Sequence, residues 1–593
     1  MLCRKTAVCA VALGLLLTTP VLRAAESYEV TTERGVTARM HDGVILRADI
    51  YRPNVEGQFP VLLQRTPYNK SGGVVFGLKA AARGYIVIIQ DVRGRYTSDG
   101  EWYTFKHESD DGYDTVEWAA SLPYANGKVG MWGGSYVGAT QMLAAIAHPP
   151  HLAGICPVVT ASNYHENWTY QGGAFEQWFN ESWTSGLAQD TFNRSVVNNS
   201  NALGGMWKLP LADYPLFNFP DAASAPVSSA SLAPYFLDWL AHPSYDEYWK
   251  QWSIEDRFGD ITVPILHVVA WYDIFQGGSL RNYIGIKAHG GSEASRRGQH
   301  LLVTIGGHAG SGRKIGDVDF GAAAAEFDED DITLNWYDYL FKGVHNEFAG
   351  KPVKIFVMGA NQWREEGDWP LARAQSTKYF LHSMKSANSL RGDGSLSIVS
   401  PRSEAADHYV YDPSNPVPTV GGPLCCDSKH LEPGPRDQRV VEARDDVLVY
   451  TTPAFAQDTE VTGPVSLELF AKSSAVDTDF TAKLVDVGPD GFAQNLTEGI
   501  IRARYRDSRE KADLINPGQV YKFNIDLWST SNVFRKGHAL RLEISSSNFP
   551  RFNRNLNTGE EPAFARNYVS ATNTIYHDAE HPSALDLPLV LAH

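Results

Sequence analysis

Through the first half of the chain, short apolar runs alternate with helical patterns. The runs are Val44–Tyr51, Phe59–Leu63, Tyr85–Gln90, Val129–Trp132, Ile155–Val159, Ile265–Ala270 and Leu301–Ile305, most of them rich in Val and Ile. A strand that is apolar on successive positions is buried on both faces, so the series predicts a largely parallel sheet. Helices are predicted between the runs. One covers Thr115–Ser121, with Asp114 and Glu117 spaced as a capping box, and another covers Ala139–His148.

The rhythm breaks at residues 161–260. This stretch is dense in aromatic residues, among them Trp168, Phe175, Trp178, Phe179, Trp183, Trp239, Trp249 and Trp252, and lacks Val/Ile runs. It reads as a mostly helical insertion capping the sheet. After about residue 350 the pattern changes again, to short alternating segments such as Val353–Val357, Val465–Leu469, Phe480–Val485, Tyr521–Ile525 and Ala539–Ser545. Gly, Pro, Asn and Asp punctuate them, which predicts a β-sandwich or jelly roll. The expected units are therefore 25–160 with 261–350, an inserted 161–260, and 351–593.

Composition fits this picture. The chain has 593 residues, 43% of them hydrophobic, with 15 Trp, 27 Tyr and 26 Phe. A net charge of −16 and the absence of a long basic run exclude a nucleic-acid partner. Arg502, Arg504 and Arg506 alternate and would share one face of a strand, solvated or ion-paired. At the N-terminus, Arg4 and Lys5 precede the apolar stretch Ala7–Leu17, and small residues Ala24 and Ala25 follow. That is the layout of a cleavable secretory signal over 1–24, too short to span a membrane comfortably. The expectation is an exported protein, periplasmic or secreted, with no membrane partner after cleavage; homo-oligomerisation is left open. Beyond the signal only Cys156, Cys425 and Cys426 remain, so there is no disulfide framework. Cys425 and Cys426 read equally as an adjacent-residue disulfide or as a plain turn. No Cys/His spacing suggests a metal.

The strongest local motif is Gly133-Gly134-Ser135-Tyr136-Val137-Gly138, between an apolar run and a helical pattern. A serine at the apex of a strand–turn–helix is a nucleophile elbow. The turn is tight, so small residues must flank the serine, and the helix N-terminus offers backbone N–H groups to an oxyanion. The usual spacing is Gly-x-Ser-x-Gly; here Val137 holds the last position and Gly138 comes one place late. The serine needs a base, and the base an orienting acid, in the chain order Ser, acid, His. Asp273 follows the run ending at Tyr272, and His308 follows Ile305-Gly306-Gly307. The competitors fit less well. Asp91 precedes the serine and reads with Arg93 as a structural, ion-paired turn. His267 lies mid-strand, and His148 and His151 flank a Pro-Pro turn. For an oxyanion hole, Tyr136 offers a backbone N–H and Tyr68 a phenol.

These residues together resemble the cocaine-esterase-like (CocE/NonD) hydrolases, relatives of X-prolyl dipeptidyl-peptidases, glutaryl cephalosporanic acid acylases and α-amino-acid ester hydrolases. The likeness rests on the elbow, Thr66-Pro67-Tyr68, Trp271-Tyr272-Asp273 and Gly307-His308. It extends to Gln90-Asp91-Val92-Arg93-Gly94, Gly421-Gly422, Cys425-Cys426 and Asp477-Thr478-Asp479-Phe480. It implies an α/β-hydrolase domain, an inserted helical cap and a C-terminal jelly roll. It implies Ser135, Asp273 and His308 as a triad, Tyr68 and Tyr136 as the oxyanion hole, Trp168, Trp183 and Phe275 around the acyl group, and no cofactor. Two departures stand out. Gly306-Gly307-His308 replaces a Gly-Pro-Trp-x-His setting. Ile274, Phe275 and Gln276 follow Asp273 where α-amino-acid ester hydrolases carry further acids. The expected substrate is a small ester, or an amide, whose acyl group lacks a charged amine. Within the enzyme class the alternative is an X-prolyl-type peptidase or glutaryl/β-lactam acylase. Outside it, the alternative is a carbohydrate-binding protein on an inactive scaffold.

Overall fold

The computed structural model describes residues 27–191, 206–207, 209–211, 232–308 and 310–590. The expected signal segment and part of the inserted cap lie outside the described residues. The first unit is built on a ten-stranded sheet. Its strands are β1 (Val30–Arg39), β2 (Ile45–Pro53), β3 (Phe59–Thr66), β4 (Ile86–Asp91), β5 (Ala125–Gly134), β6 (Leu152–Val158), β7 (Ile265–Tyr272), β8 (Gln299–Gly307), β9 (Val353–Val357) and β10 (Gln362–Glu366). They lie in the order β1-β2-β4-β3-β5-β6-β7-β8-β9-β10. From β4 to β9 every pairing is parallel; β1, β2 and β10 add antiparallel edges. The continuous apolar runs are the inner strands: every residue of β4 and of β7 is buried. This is the α/β-hydrolase sheet.

Helices α1 (Val74–Ala82), α2 (Glu108–Ala120), α3 (Tyr136–Ile146), α6 (Gln276–His289) and α7 (Glu329–Lys342) cover its faces. Helix α2 starts at Glu108, well before the expected capping box. Glu108, Asp110 and Asp111 already favour a helix N-terminus there. Asp114 and Glu117 lie inside the helix and accept hydrogen bonds from His41 and His151. In the cap, α4 (Gln177–Thr191) and α5 (Pro234–Ala241) accompany a small hairpin, Tyr170–Gln171 with Ala174–Phe175.

The C-terminal unit is built on an eleven-stranded sheet, antiparallel but for one parallel contact, Ser395 with Thr451. The arginine expectation fails in part. The strand Ala493–Arg502 ends at the first arginine, and a 3-10 turn, Ala503–Tyr505, follows, so the three do not share a strand face. All three are ion-paired, and two are buried: Arg502 grips Asp479 at 2.9 and 2.8 Å, Arg504 meets Asp477 at 2.8 Å, and the partly exposed Arg506 meets Asp513 at 2.8 Å. Burial in this network is what two carboxylates so close in sequence are for; Asn555 donates to both. Cys425 and Cys426 are joined by a disulfide, which decides the open alternative. Two large cores tie the units together. One runs from the sheet into the cap aromatics, and the other from β7–β9 into the C-terminal strands.

Candidate active site

Strand β5 leads into the elbow. Gly133 has φ 119° and Ser135 φ 60°, ψ −127°, a left-handed conformation that a non-glycine residue adopts only when its surroundings force it. Those surroundings are hydrogen bonds. Ser135 N–H donates to Val158 O at 2.9 Å, and Ser135 O accepts from the N–H groups of Gly138 and Ala139 at 2.9 and 3.0 Å. The shifted glycine has a steric cause. A Cβ on Gly138 would lie 2.8 Å from Thr160 Cβ, whereas the Val137 side chain packs against Gly133, whose own Cβ would sit 2.5 Å from Val137 Cγ1.

Asp273 and His308 come from the loops after β7 and β8, adjacent strands whose pairing reaches Tyr272 and Gly307. His308 Nε2 lies 2.9 Å from Ser135 Oγ, and His308 Nδ1 2.6 Å from Asp273 Oδ1. Asp273 is fully buried, and its other oxygen accepts the Phe275 N–H at 2.9 Å. Both glycines before His308 serve a fold-back: Gly307 N–H donates to Gly310 O at 3.0 Å, and a Cβ on Gly306 would lie 2.2 Å from that oxygen.

Tyr68 completes the group. Tyr68 borders the same cavity as Ser135, and enclosure by protein raises its pKa, so it keeps its proton. The Trp183 indole N–H donates to Tyr68 Oη at 2.9 Å. The Tyr136 phenol points the other way. It accepts the Phe105 N–H at 2.7 Å and donates to Glu108 at 3.0 Å, which anchors the start of α3 and leaves only the backbone N–H for the site.

Ser135, His308, Tyr68 and Trp183 line one cavity of about 400 Å³. Trp168 and Phe275, expected beside the acyl group, are not in its wall. They stack on each other at 4.3 Å and 9°, and Phe275 meets the His308 ring edge-on at 5.1 Å, so they back the histidine. Cys426, Phe327 and Glu329 line the cavity unforeseen. Nothing local marks them; Glu329 sits in an acid run that reads as an ordinary helix start. The competitors are elsewhere. Asp91 holds Lys70, and Arg93 holds Asp111 and Asp42, so both are ion-paired, though not with each other. His267 is buried against Gln299, and burial pulls its pKa down to about 4. Among the described residues no His, Cys, Asp and Glu cluster is placed to hold a metal ion.

Comparison with known proteins finds similarity along most of the chain. The profile of the X-Pro dipeptidyl-peptidase (S15 family) matches residues 42–310, and that of the X-Pro dipeptidyl-peptidase C-terminal non-catalytic domain matches residues 346–586. A cocaine esterase of Rhodococcus sp. (strain MB1 Bresler) is 38% identical over 585 residues, 94% of this chain and 98% of that protein. The chain belongs to the cocaine-esterase-like hydrolases. As a cocaine-esterase-like protein it is a serine hydrolase. Its fold matches the crystal structure of an aminopeptidase from a marine sediment Thaumarchaeota archaeon, with a TM-score of 0.81, 26% identity, and coverage of 96% of this chain and 98% of that one. An α-amino-acid ester hydrolase structure matches with a TM-score of 0.80 and 24% identity, over 97% and 99% of the two chains. Among the described residues of this cocaine-esterase-like chain, no helix is long and apolar enough to cross a membrane.

Proposed function

We propose that the chain hydrolyses esters of small acyl groups by two-step acyl transfer on Ser135. The observation that carries this reading is the unbroken line Ser135 Oγ, His308, Asp273, at 2.9 and 2.6 Å, opening into a cavity that also holds the Tyr68 hydroxyl. His308 takes the serine proton as the oxygen attacks the ester carbonyl, and Asp273 holds the imidazole in the required orientation. The oxyanion sits between Tyr68 O–H and Tyr136 N–H. His308 then protonates the leaving alcohol, the acyl-enzyme forms on Ser135, and water activated by the same histidine releases the acid. A 38%-identical relative named for ester cleavage supports an ester over an amide. Export belongs to the same reading, supported by Arg4, Lys5, the apolar stretch Ala7–Leu17 and the small residues after it.

The test is twofold. A fluorophosphonate should label Ser135, mapped by mass spectrometry; labelling of another serine overturns the assignment. Purified protein should release p-nitrophenol from short acyl esters far faster than it cleaves X-Pro anilides; the reverse preference makes it a peptidase. Mature protein from the native host that still begins at Met1 contradicts export.

A further inference from the structure

Strands β6 and β7 run on past the helix that covers them. Alternate side chains of a strand share a face. On the face toward α7 these include Cys156 and Val158 of β6 and Val268 and Ala270 of β7, packed in one core with Leu334 and Tyr337 of the helix. Thr333 of α7 lies over Cys156, its hydroxyl 3.9 Å from the sulfur. Val158 is about 7 Å further along its strand. The helix has one turn left at that height, and the residue there, Glu329, is exposed to solvent. Val158, Val268 and Ala270 are thus left at the floor of a lobe of the catalytic cavity, with the partly buried Phe327 in its wall.

The lobe lies across the sheet from Trp168 and Phe275, which belong to the core shared with the cap. It offers a substrate little to hydrogen-bond. Thr304 Oγ1 and Ser311 Oγ, also in its wall, bond to each other at 2.6 Å, and Thr304 Oγ1 accepts the Gly306 N–H at 3.2 Å. Besides His308, the one charged side chain among the described residues of the wall is Glu329, at the solvent edge. Surface of this kind gains most from an apolar guest. The catalytic geometry says which part of the substrate that guest is. Around the carbon that Ser135 attacks, the proposed mechanism points the oxyanion at Tyr68 and the Tyr136 N–H, and the leaving oxygen must lie against His308 Nε2, which protonates it. The lobe opens beside that histidine: Gly307 and Gly310, the two ends of its fold-back, share the wall with Val268 and Ala270.

We infer that this lobe receives the leaving alcohol, and that the substrate is the ester of an apolar alkyl alcohol, with Ala270 and Phe327 as specificity residues. This rests on the esterase reading above and deepens it. The acyl group is left the side of the cavity that Trp183 lines. The chemistry is unchanged: the bond from the acyl carbon to the alcohol oxygen breaks, and that oxygen takes the proton His308 received from Ser135.

The test uses ethyl acetate, hexyl acetate and ethyl hexanoate, with acid release followed by titration at constant pH. Acetates of primary alkyl alcohols differ little in intrinsic reactivity, and kcat/KM covers every step up to departure of the alcohol, so their ratio reads what the alcohol touches. The unaltered protein should favour hexyl over ethyl acetate at least about tenfold. Ala270→Leu, which fills the floor, and Phe327→Ser, which takes away a wall, should each lower that ratio about fivefold or more, with folding checked by circular dichroism. Phe327 is partly exposed, so its replacement tests the lobe even where Ala270→Leu does not fold. No turnover of any of the three esters overturns the esterase reading and the inference with it. Turnover with equal kcat/KM for the two acetates overturns the inference alone. So does a preference for hexyl acetate that both folded variants keep. An advantage of ethyl hexanoate over ethyl acetate that the variants abolish, with the acetate ratio unmoved, puts the acyl group in the lobe and overturns the assignment to the alcohol.

Discussion

Tyr68 shows how much one hydrogen bond can settle. Its oxygen accepts the Trp183 indole proton, so one lone pair is occupied and its own proton is free to turn toward the oxyanion position. On the proposed mechanism, Tyr68→Phe removes one of two donors and should lower kcat by about 10²–10³ with little change in KM, read from steady-state kinetics on a p-nitrophenyl ester. Trp183→Phe should lower kcat less, because the phenol stays but loses its guide. The residues of this site differed in how legible they were. Ser135, Asp273 and His308 each follow an apolar run, so a strand end points to them in the sequence. Tyr68 needed the family resemblance, since nothing in Arg65-Thr66-Pro67-Tyr68 separates it from a surface tyrosine. Glu329 was hidden for a physical reason: acids at a helix start are favoured by the helix dipole wherever they point, and only the packing of Thr333 and Tyr337 tells which one faces the cavity.

At the scale of elements, the elbow concentrates strain in a few backbone angles. Gly133→Ala would place a Cβ 2.5 Å from Val137 Cγ1 at φ 119°, so the turn must shift. The expected outcome is a loss of about 1–3 kcal/mol in urea unfolding and turnover too weak to measure, because Ser135 moves relative to His308. The parallel strands were plain in the sequence, since burial on both faces leaves continuous apolar runs. Helix α2 was misplaced because its inward positions include Glu108, Asp111 and Thr115, polar residues paired inside the protein. A pattern of apolar positions cannot reveal a face built on buried ion pairs. The arginines at 502, 504 and 506 misled in the same way: alternation matched a strand, but the chain turns at Ala503 to bring them to Asp479, Asp477 and Asp513.

At the scale of the molecule, the cap is held from behind. Arg551 of the C-terminal unit, almost wholly buried, pairs with Glu498, donates to Gln171 Oε1 of the cap at 2.9 Å and lies 3.6 Å from Glu176. Backbone bonds run alongside it, Trp178 N–H to Pro550 O at 3.0 Å and Asn553 N–H to Phe175 O at 2.9 Å. Arg551→Met strands two buried carboxylates and should cost about 3–5 kcal/mol by denaturant unfolding. Burial, only partly offset by Arg551, pushes Glu176 up to about 7. The folded protein therefore binds this proton more tightly than the unfolded chain, and stability from this group falls as pH rises from about 4.5 to about 7. Glu176→Gln should flatten that part of the stability-pH curve and raise the melting temperature at pH 8. Changes of rhythm near residues 160 and 350 are visible in the sequence, but the grip between the sheet, the cap and the C-terminal strands is not, because it is made by single polar residues far apart in sequence.

The bond between Cys425 and Cys426 belongs to this junction. Cys425 packs into the core shared with the cap, and Cys426, at φ 79°, forms part of the cavity wall. Because the two are neighbours, the bond encloses no length of chain and removes almost nothing from the freedom of the unfolded state. It is a cross-link without a loop. What it contributes is contour: two side chains that would otherwise turn independently become one small, stiff ring, and the part of the cavity wall that Cys426 forms has a fixed relief.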